Sequence, residues 1–179
     1  MLAVYISGAL MAASDLPRVR ELYEAFAAVC EREGCTAYLP HRNTDPETTA
    51  FLSTDSVVEQ DITKLSEADV ILAYLGEPSL GVGAEVAIAV QQGKHILALY
   101  ESSKSVSRFI QGLLSKYSRS RVCRFETEEA AFAWVAAELN AIDQPQSIDL
   151  GSEGAPPGSV AKMSSESVLD SRPMHEKSG

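Results

Sequence analysis

The run "DVILAYL" (69–75) passes directly into "GEPSLGVGAEVAIAV" (76–90), and this junction decides the fold. Seven mostly apolar residues with β-branched and aromatic members read as a strand. Pro, Ser and glycines then mark a tight turn. After the turn, Val86, Ala87, Ile88, Ala89 and Val90 continue as a helix with nothing charged before Lys94. A strand, a glycine turn and a helix of this kind place the helix N-terminus at the carboxyl edge of a sheet, where ligands bind in open α/β folds. One acid, Glu85, interrupts the apolar run. It is either a first-turn carboxylate favoured by the helix dipole or a group facing a ligand.

The same alternation recurs along the chain. Strand-like runs are "LAVYIS" (2–7), "CTAYLP" (35–40), "DVILAYL" (69–75), "HILALY" (95–100) and "RVCRF" (121–125). Helix-like periodicity falls at about 15–33, 55–67, 82–93, 105–116 and 127–141; in the first of these Leu22, Phe26, Val29 and Cys30 share a face. Alternating strands and helices imply a parallel sheet covered on both faces. The expected architecture is a flavodoxin/Rossmann-like three-layer sandwich with a five-stranded parallel sheet in order 2-1-3-4-5. Residues 41–54, "HRNTDPETTAFLST", read as a polar loop of a length often tied to function. Residues 1–142 form the expected catalytic domain. From 143 to 179 the composition turns to Ser, Pro and Gly with few aliphatics, which reads as a disordered tail.

Charge and composition narrow the function. The 179 residues carry a net charge of −10, which disfavours a protein that coats nucleic acid. One phosphate held by backbone N–H groups stays possible, because that depends on local donors. No apolar run approaches the ~20 residues that cross a bilayer, and "MLAVYISGAL" reads as a first strand rather than a signal peptide. Cys30, Cys35 and Cys123 have no metal-site spacing and leave one thiol unpaired in any disulfide scheme, so a cytoplasmic setting with free thiols is expected.

Four segments should converge at the carboxyl edge: "YISGA", "PHRN", "GEPSLGVGAE" and "YESSKSVSRF". Gly8, Gly81 and Gly83 would let backbone amides approach a ligand, and Ser79 and Ser107 add hydroxyls. There is no GxGxxG after the first strand and no GxxxxGK[ST], which disfavours dinucleotide and P-loop readings. Glu85, near the positive end of its helix, should stay ionised, and a positioned carboxylate in a small-molecule cleft suits attack on an anomeric carbon. Asp61 supplies a second carboxylate or is a plain exposed helix residue. Tyr5 reads as core or as a site residue, and His41 as a loop contact or an acid/base.

These residues together resemble the nucleoside 2-deoxyribosyltransferase family, and within it the 2'-deoxynucleoside 5'-phosphate N-hydrolases. The resemblance runs through "VYISGA", "EQDITKLSEADVILA", "EPSLGVGAEVAIAV", "KHILALY" and "VSRFIQG". It implies a cofactor-free, metal-free homodimer that cleaves the N-glycosidic bond of a nucleoside monophosphate. It further implies Glu85 as a nucleophile forming a covalent 2-deoxyribosyl intermediate, Asp61 as the carboxylate assisting leaving-group protonation or sugar orientation, and Tyr5 as the hydroxyl bonded to the nucleophile. Ser7, Gly8, His41, Arg42, Ser79, Gly81 and Ser107 are the implied substrate-binding positions, with Ser107 serving the partner's site. The chain departs from the hydrolase pattern after Gly8, where Ala9, Leu10 and Met11 replace a serine and a nearby arginine. "LPHRNTDP" is similar to the "HR" loop of pyrimidine ribonucleotide glycosidases. Two alternatives remain: a transferase exchanging bases between nucleosides, and a nucleotide-binding sensor without turnover.

Overall fold

A computed structural model describes residues 1–11 and 13–144. The five apolar runs become five strands: β1 (Ala3–Ser7), β2 (Thr36–Tyr38), β3 (Val70–Tyr74), β4 (His95–Glu101) and β5 (Ser120–Phe125). All neighbours pair parallel, in the order β2-β1-β3-β4-β5. The helices are α1 (Leu16–Arg32), α2 (Pro40–Asn43), α3 (Thr54–Glu67), α4 (Leu80–Gln91), α5 (Arg108–Lys116) and α6 (Glu128–Asp143). The architecture is the expected flavodoxin-like sandwich.

All five residues of β3 are buried. A central parallel strand with helices on both sides has no face for water, so its sequence is continuously apolar rather than alternating. Residue parity still decides which layer each side chain enters. Val4, Ile6, Val70, Leu72, Tyr74, Leu97 and Leu99 pack with residues of α1 and α6, including Phe26, Ala131 and Val135. Tyr5, Ile71, Ala73, Ile96 and Ala98 pack on the other face with Leu65 of α3, Val82, Val86 and Ala89 of α4, and Leu114 of α5. Side chains two apart on β1 therefore look toward α3 and α4, which places Tyr5 beside the catalytic candidates.

Two local readings change. The stretch 41–54 is not wholly loop, because Pro40 opens the one-turn helix α2; four residues are too few to show a helical period. The other concerns α4, which starts at Leu80, so Gly81 and Gly83 lie inside the helix rather than in a turn before it. Ser79 makes this start possible, its side chain accepting a hydrogen bond from the Val82 N–H at 3.3 Å. Such a cap contributes about 1 kcal/mol, similar to what one interior glycine costs.

Cys30, Cys35 and Cys123 are free thiols, and burial pushes Cys30 up to about 12. Among the described residues no helix is long and apolar enough to cross a membrane. The tail expected from residue 143 lies, beyond Asp143 and Gln144, outside the described residues.

Phe26 has no exposed surface and meets Phe132 edge-on at 5.3 Å, tying α1 to α6. Phe26→Ala should cost about 3–5 kcal/mol, read as a lower urea midpoint at unchanged slope. A loss below about 1 kcal/mol would mean that this layer collapses around the cavity.

Candidate active site

The site grows from the end of β1. Tyr5 and Ser7, both fully buried, stand two residues apart and so share a sheet face. The Tyr5 hydroxyl donates to Glu85 Oε1 at 2.9 Å, and the Ser7 hydroxyl donates to Oε2. Each carboxylate oxygen thus has one fixed donor. Among the described residues no Lys, Arg or His forms an ion pair with Glu85.

The helix placement of Glu85 differs from the first-turn reading. With α4 starting at Leu80, the acid falls in the second turn, where the dipole effect has largely faded. The carboxylate is held by strand hydroxyls instead. Burial pushes its pKa above the ordinary value, against the Ser7 and Tyr5 hydrogen bonds that favour the ionised form. What favours the charged form is therefore the pair of strand hydroxyls rather than the helix dipole. Burial and the Glu85 charge also raise the Tyr5 phenol, so Tyr5 remains a donor at neutral pH.

Asp61 on α3 is partly buried, and it accepts from Tyr38 at 3.3 Å and lies 3.1 and 3.2 Å from the Thr44 hydroxyl. Burial raises its pKa as well, against the Thr44 and Tyr38 bonds. Tyr38 is the register partner of Tyr5 across β1 and β2, and their rings stack at 5.5 Å. One aromatic pair therefore joins the two carboxylates.

Glu85 and Asp61 line one cavity of about 470 Å³ with Gly8, Leu10, Met11, Pro40, Pro78, Ser79, Leu80, Gly81 and Val82. Among the described residues no Lys, Arg or His lines it. Packing alone requires a glycine at position 8: a Cβ there would lie 2.2 Å from Cζ of Tyr23. Around Gly81 there is room, with only Ser79 Oγ, at 3.7 Å, near a notional Cβ. A second cavity of about 530 Å³ lies across the Pro78–Val82 segment and contains Ser107, Phe109 and Ile110.

Of the positions singled out in the sequence, Tyr5, Ser7, Asp61 and Glu85 form the polar centre. Gly8, Ser79 and Gly81 line the same cavity. Ser7 is bonded to Glu85 and supports that carboxylate. His41 and Arg42 are not brought in. His41 Nε2 lies 2.7 Å from Glu24 Oε1, and Arg42 donates through Nε at 3.0 Å and through Nη2 to the same carboxylate. Glu24, on α1, is held below the ordinary carboxylate range by Arg42 and His41, against its burial. Ser107 lines only the second cavity, at the cap position of α5, where its side chain caps nothing.

Sequence reasoning missed Tyr38, Thr44 and Glu77. Tyr38 carried a usable signal, since strand order 2-1-3 sets the end of β2 beside Tyr5. Glu77 is buried (6% exposed), bonded to the Ser14 N–H and hydroxyl at 3.1 and 2.8 Å and paired with Lys104 at 2.6 Å. Burial pushes it up, but Lys104 and Ser14 outweigh this and hold it below the ordinary range. It braces the loops around Ser14, Glu77 and Lys104 against one another.

The nucleoside 2-deoxyribosyltransferase family profile matches residues 4–152, and the chain belongs to that family. A Thermofilum pendens protein named for 2'-deoxynucleoside 5'-phosphate N-hydrolase activity is 37% identical over 103 residues, which is 56% of this chain and 69% of that protein. The human 5-hydroxymethyl-dUMP N-hydrolase is 36% identical over 105 residues, 58% of this chain and 52% of its own length. The match thus spans about two thirds of the archaeal relative and about half of the human one. Among solved structures, a Clostridium botulinum CMP N-glycosidase superposes with a TM-score of 0.59 at 21% identity, over 76% of this chain and 98% of that one. At that identity the likeness is one of fold.

A raised pKa has a stability consequence whose sign is fixed. The folded state holds the Glu85 proton more tightly than the unfolded chain, so stability falls as pH rises through the window above 4.5. Glu85→Gln removes the charge and keeps a polar group for Tyr5 and Ser7. It should melt at or above the wild-type temperature at neutral pH, with the difference shrinking as pH falls below 4.5. A melting point several degrees lower at neutral pH would show that the ionised carboxylate stabilises the fold.

Proposed function

We propose that the chain hydrolyses the N-glycosidic bond of a (2'-deoxy)nucleoside 5'-monophosphate, releasing the free base and the sugar 5-phosphate. The observation that carries this reading is Glu85, a carboxylate with no cationic partner among the described residues, aimed by two hydroxyls and sharing a cavity with a second carboxyl, Asp61, whose pKa burial raises. The archaeal and human relatives, both named as nucleotide N-hydrolases, support the reaction class.

In this reading the Glu85 carboxylate attacks C1' while protonated Asp61 gives its proton to the departing base. The C1'–N bond breaks and a glycosyl ester on Glu85 forms. Asp61, now ionised, takes a proton from water as that water attacks C1'. The ester opens, the sugar 5-phosphate leaves, and both carboxyls return to their starting states. Tyr5 stays a donor throughout and weakens the charge on Oε1 as the ester breaks. The same carboxylate thus serves as acid and then base, as in retaining glycosidases.

The phosphate falls to backbone and hydroxyl donors. Ser79 occupies the Val82 N–H, which leaves the first N–H groups of α4 at Leu80 and Gly81 without helical partners, at the positive end of the dipole. Ser107 sits in the neighbouring cavity, which fits a role in the site of a second copy. Leu80 (96% exposed) and Phe109 (75% exposed) flank that cavity and give a homodimer apolar surface to cover.

A second reading is base exchange on nucleosides that lack the phosphate. The cavity favours it in one respect, having no cationic side chain among the described residues of its lining and Leu10 and Met11 at its wall.

Two measurements test these readings. Glu85→Ala, if folded, should lose at least about three orders of magnitude in kcat, since a covalent nucleophile carries the first step; a tenth of the wild-type rate retained would remove Glu85 from that role. A deoxynucleoside compared with its own monophosphate should show kcat/KM at least about a hundredfold lower, because hydrogen bonds to a charged group contribute roughly 1.5–3 kcal/mol each. Equal values, with a mixed nucleoside formed from an added free base, would favour exchange.

A further inference from the structure

The Thr44 hydroxyl has more acceptors than it can serve. Thr44 is almost wholly buried (3% exposed). Its Oγ1 lies 3.1 Å from the Pro40 carbonyl oxygen, 3.1 Å from Asp61 Oδ1 and 3.2 Å from Asp61 Oδ2. A hydroxyl has one proton to give and two lone pairs to accept with. Two arrangements satisfy these atoms. With Asp61 ionised, Thr44 donates to it, and the Pro40 carbonyl keeps the Thr44 N–H at 2.7 Å. With Asp61 protonated, the carboxyl proton is given to Thr44 Oγ1 and the hydroxyl turns to Pro40. Neither arrangement strands a polar atom, and unpaired buried polar atoms are costly.

The loop around Thr44 is built to hold it there. Thr44 follows α2, and the next residue, Asp45, is 2% exposed. Arg20 of α1 pairs with Asp45 Oδ2 at 2.5 Å and with Glu47 at 2.9 Å. The Asp45 carbonyl accepts from the Thr48 and Thr49 N–H groups at 3.2 and 2.8 Å, and its carboxylate accepts from the Glu47 N–H at 2.8 Å. The backbone next to Thr44 is thereby pinned, while the hydroxyl rotor stays free to turn.

We infer that Thr44 is a positioning residue whose hydroxyl turns between Asp61 and the Pro40 carbonyl, so that Asp61 holds or releases a proton without leaving a buried polar atom unpaired. The inference rests on the reading of Asp61 as the group that gives and retakes a proton. The other groups facing Asp61 are Tyr38 from β2, Tyr5 from β1 and Glu85 from α4. On its own helix, Lys64 is paired with Glu67 at 2.7 Å. No cation among the described residues pairs with Asp61, so the hydroxyl partners decide how readily it ionises.

Removing the hydroxyl has a predictable sign. Ionised Asp61 loses a charge-assisted hydrogen bond, and protonated Asp61 loses a neutral one. The charge-assisted bond is about twice as strong, so the protonated form gains and the titration moves up by roughly half to one pH unit. The experiment is carbon-13 NMR titration of the aspartate side-chain carboxyls in the full chain, with Asp61→Asn assigning the resonance. Thr44→Val and Thr44→Ala should titrate higher at Asp61, and Thr44→Ser should restore the wild-type curve. In the pH dependence of base release, the Asp61 limb should move by the same amount, with kcat changed more than KM. An unchanged Asp61 titration in either folded variant overturns the inference. A shifted titration in a chain that releases no base from any nucleotide supports Thr44 and removes the proposed activity.

Discussion

Everything at the carboxyl edge depends on keeping the Glu85 carboxylate away from bulk water without giving it a cation. A lysine or arginine would hold the charge more cheaply and would also quench it as a nucleophile. Two hydroxyls from one strand do the task instead, each on its own oxygen. This requires that Tyr5 and Ser7 share a face, that β1 lies beside β3, and that α4 begins early enough to carry Glu85 across from them. Strand parity, sheet order and the Ser79 cap meet those three conditions.

The second carboxylate is treated alike. Among the described residues Asp61 also has only hydroxyl partners, Tyr38 and Thr44, and burial likewise raises its pKa. Three cations near this edge are engaged with other acids: Lys104 with Glu77, Arg42 with Glu24, Arg20 with Asp45. Both acids of the centre are thus held by hydroxyls and raised by burial rather than paired with cations. Such an arrangement costs stability and suits the proposed reaction, in which an ester to sugar carbon forms and breaks.

The fold was readable because its signals are long and periodic. Five apolar runs separated by amphipathic stretches permit little besides a doubly wound parallel sheet. The tight group of Tyr5, Asp61 and Glu85 was readable through motif resemblance, and the hydrogen bond from Tyr5 to Glu85 lies where that resemblance put it. What escaped were features set by tertiary contact. The glycines of "LGVG" look like a turn, yet a single serine cap draws them into α4. Gly8 looks like a ligand-approach glycine, yet the Tyr23 ring occupies the space of its missing Cβ. His41 and Arg42 look like substrate contacts, and Glu24, seventeen residues before His41, takes both. Thr44 carries no motif at all, because its meaning comes only from facing Asp61, whereas Tyr38 is reachable only through strand order, which sets it beside Tyr5.

The central claim is that Glu85 becomes covalently bound to the sugar. Rapid acid quench of wild-type protein turning over a deoxynucleoside monophosphate, followed by mass analysis of the intact chain and its peptides, tests it most directly. The account predicts an added deoxyribose 5-phosphate on the peptide containing Glu85, absent in Glu85→Gln. Steady release of base with no adduct at any quench time, or an adduct on another residue, would contradict it.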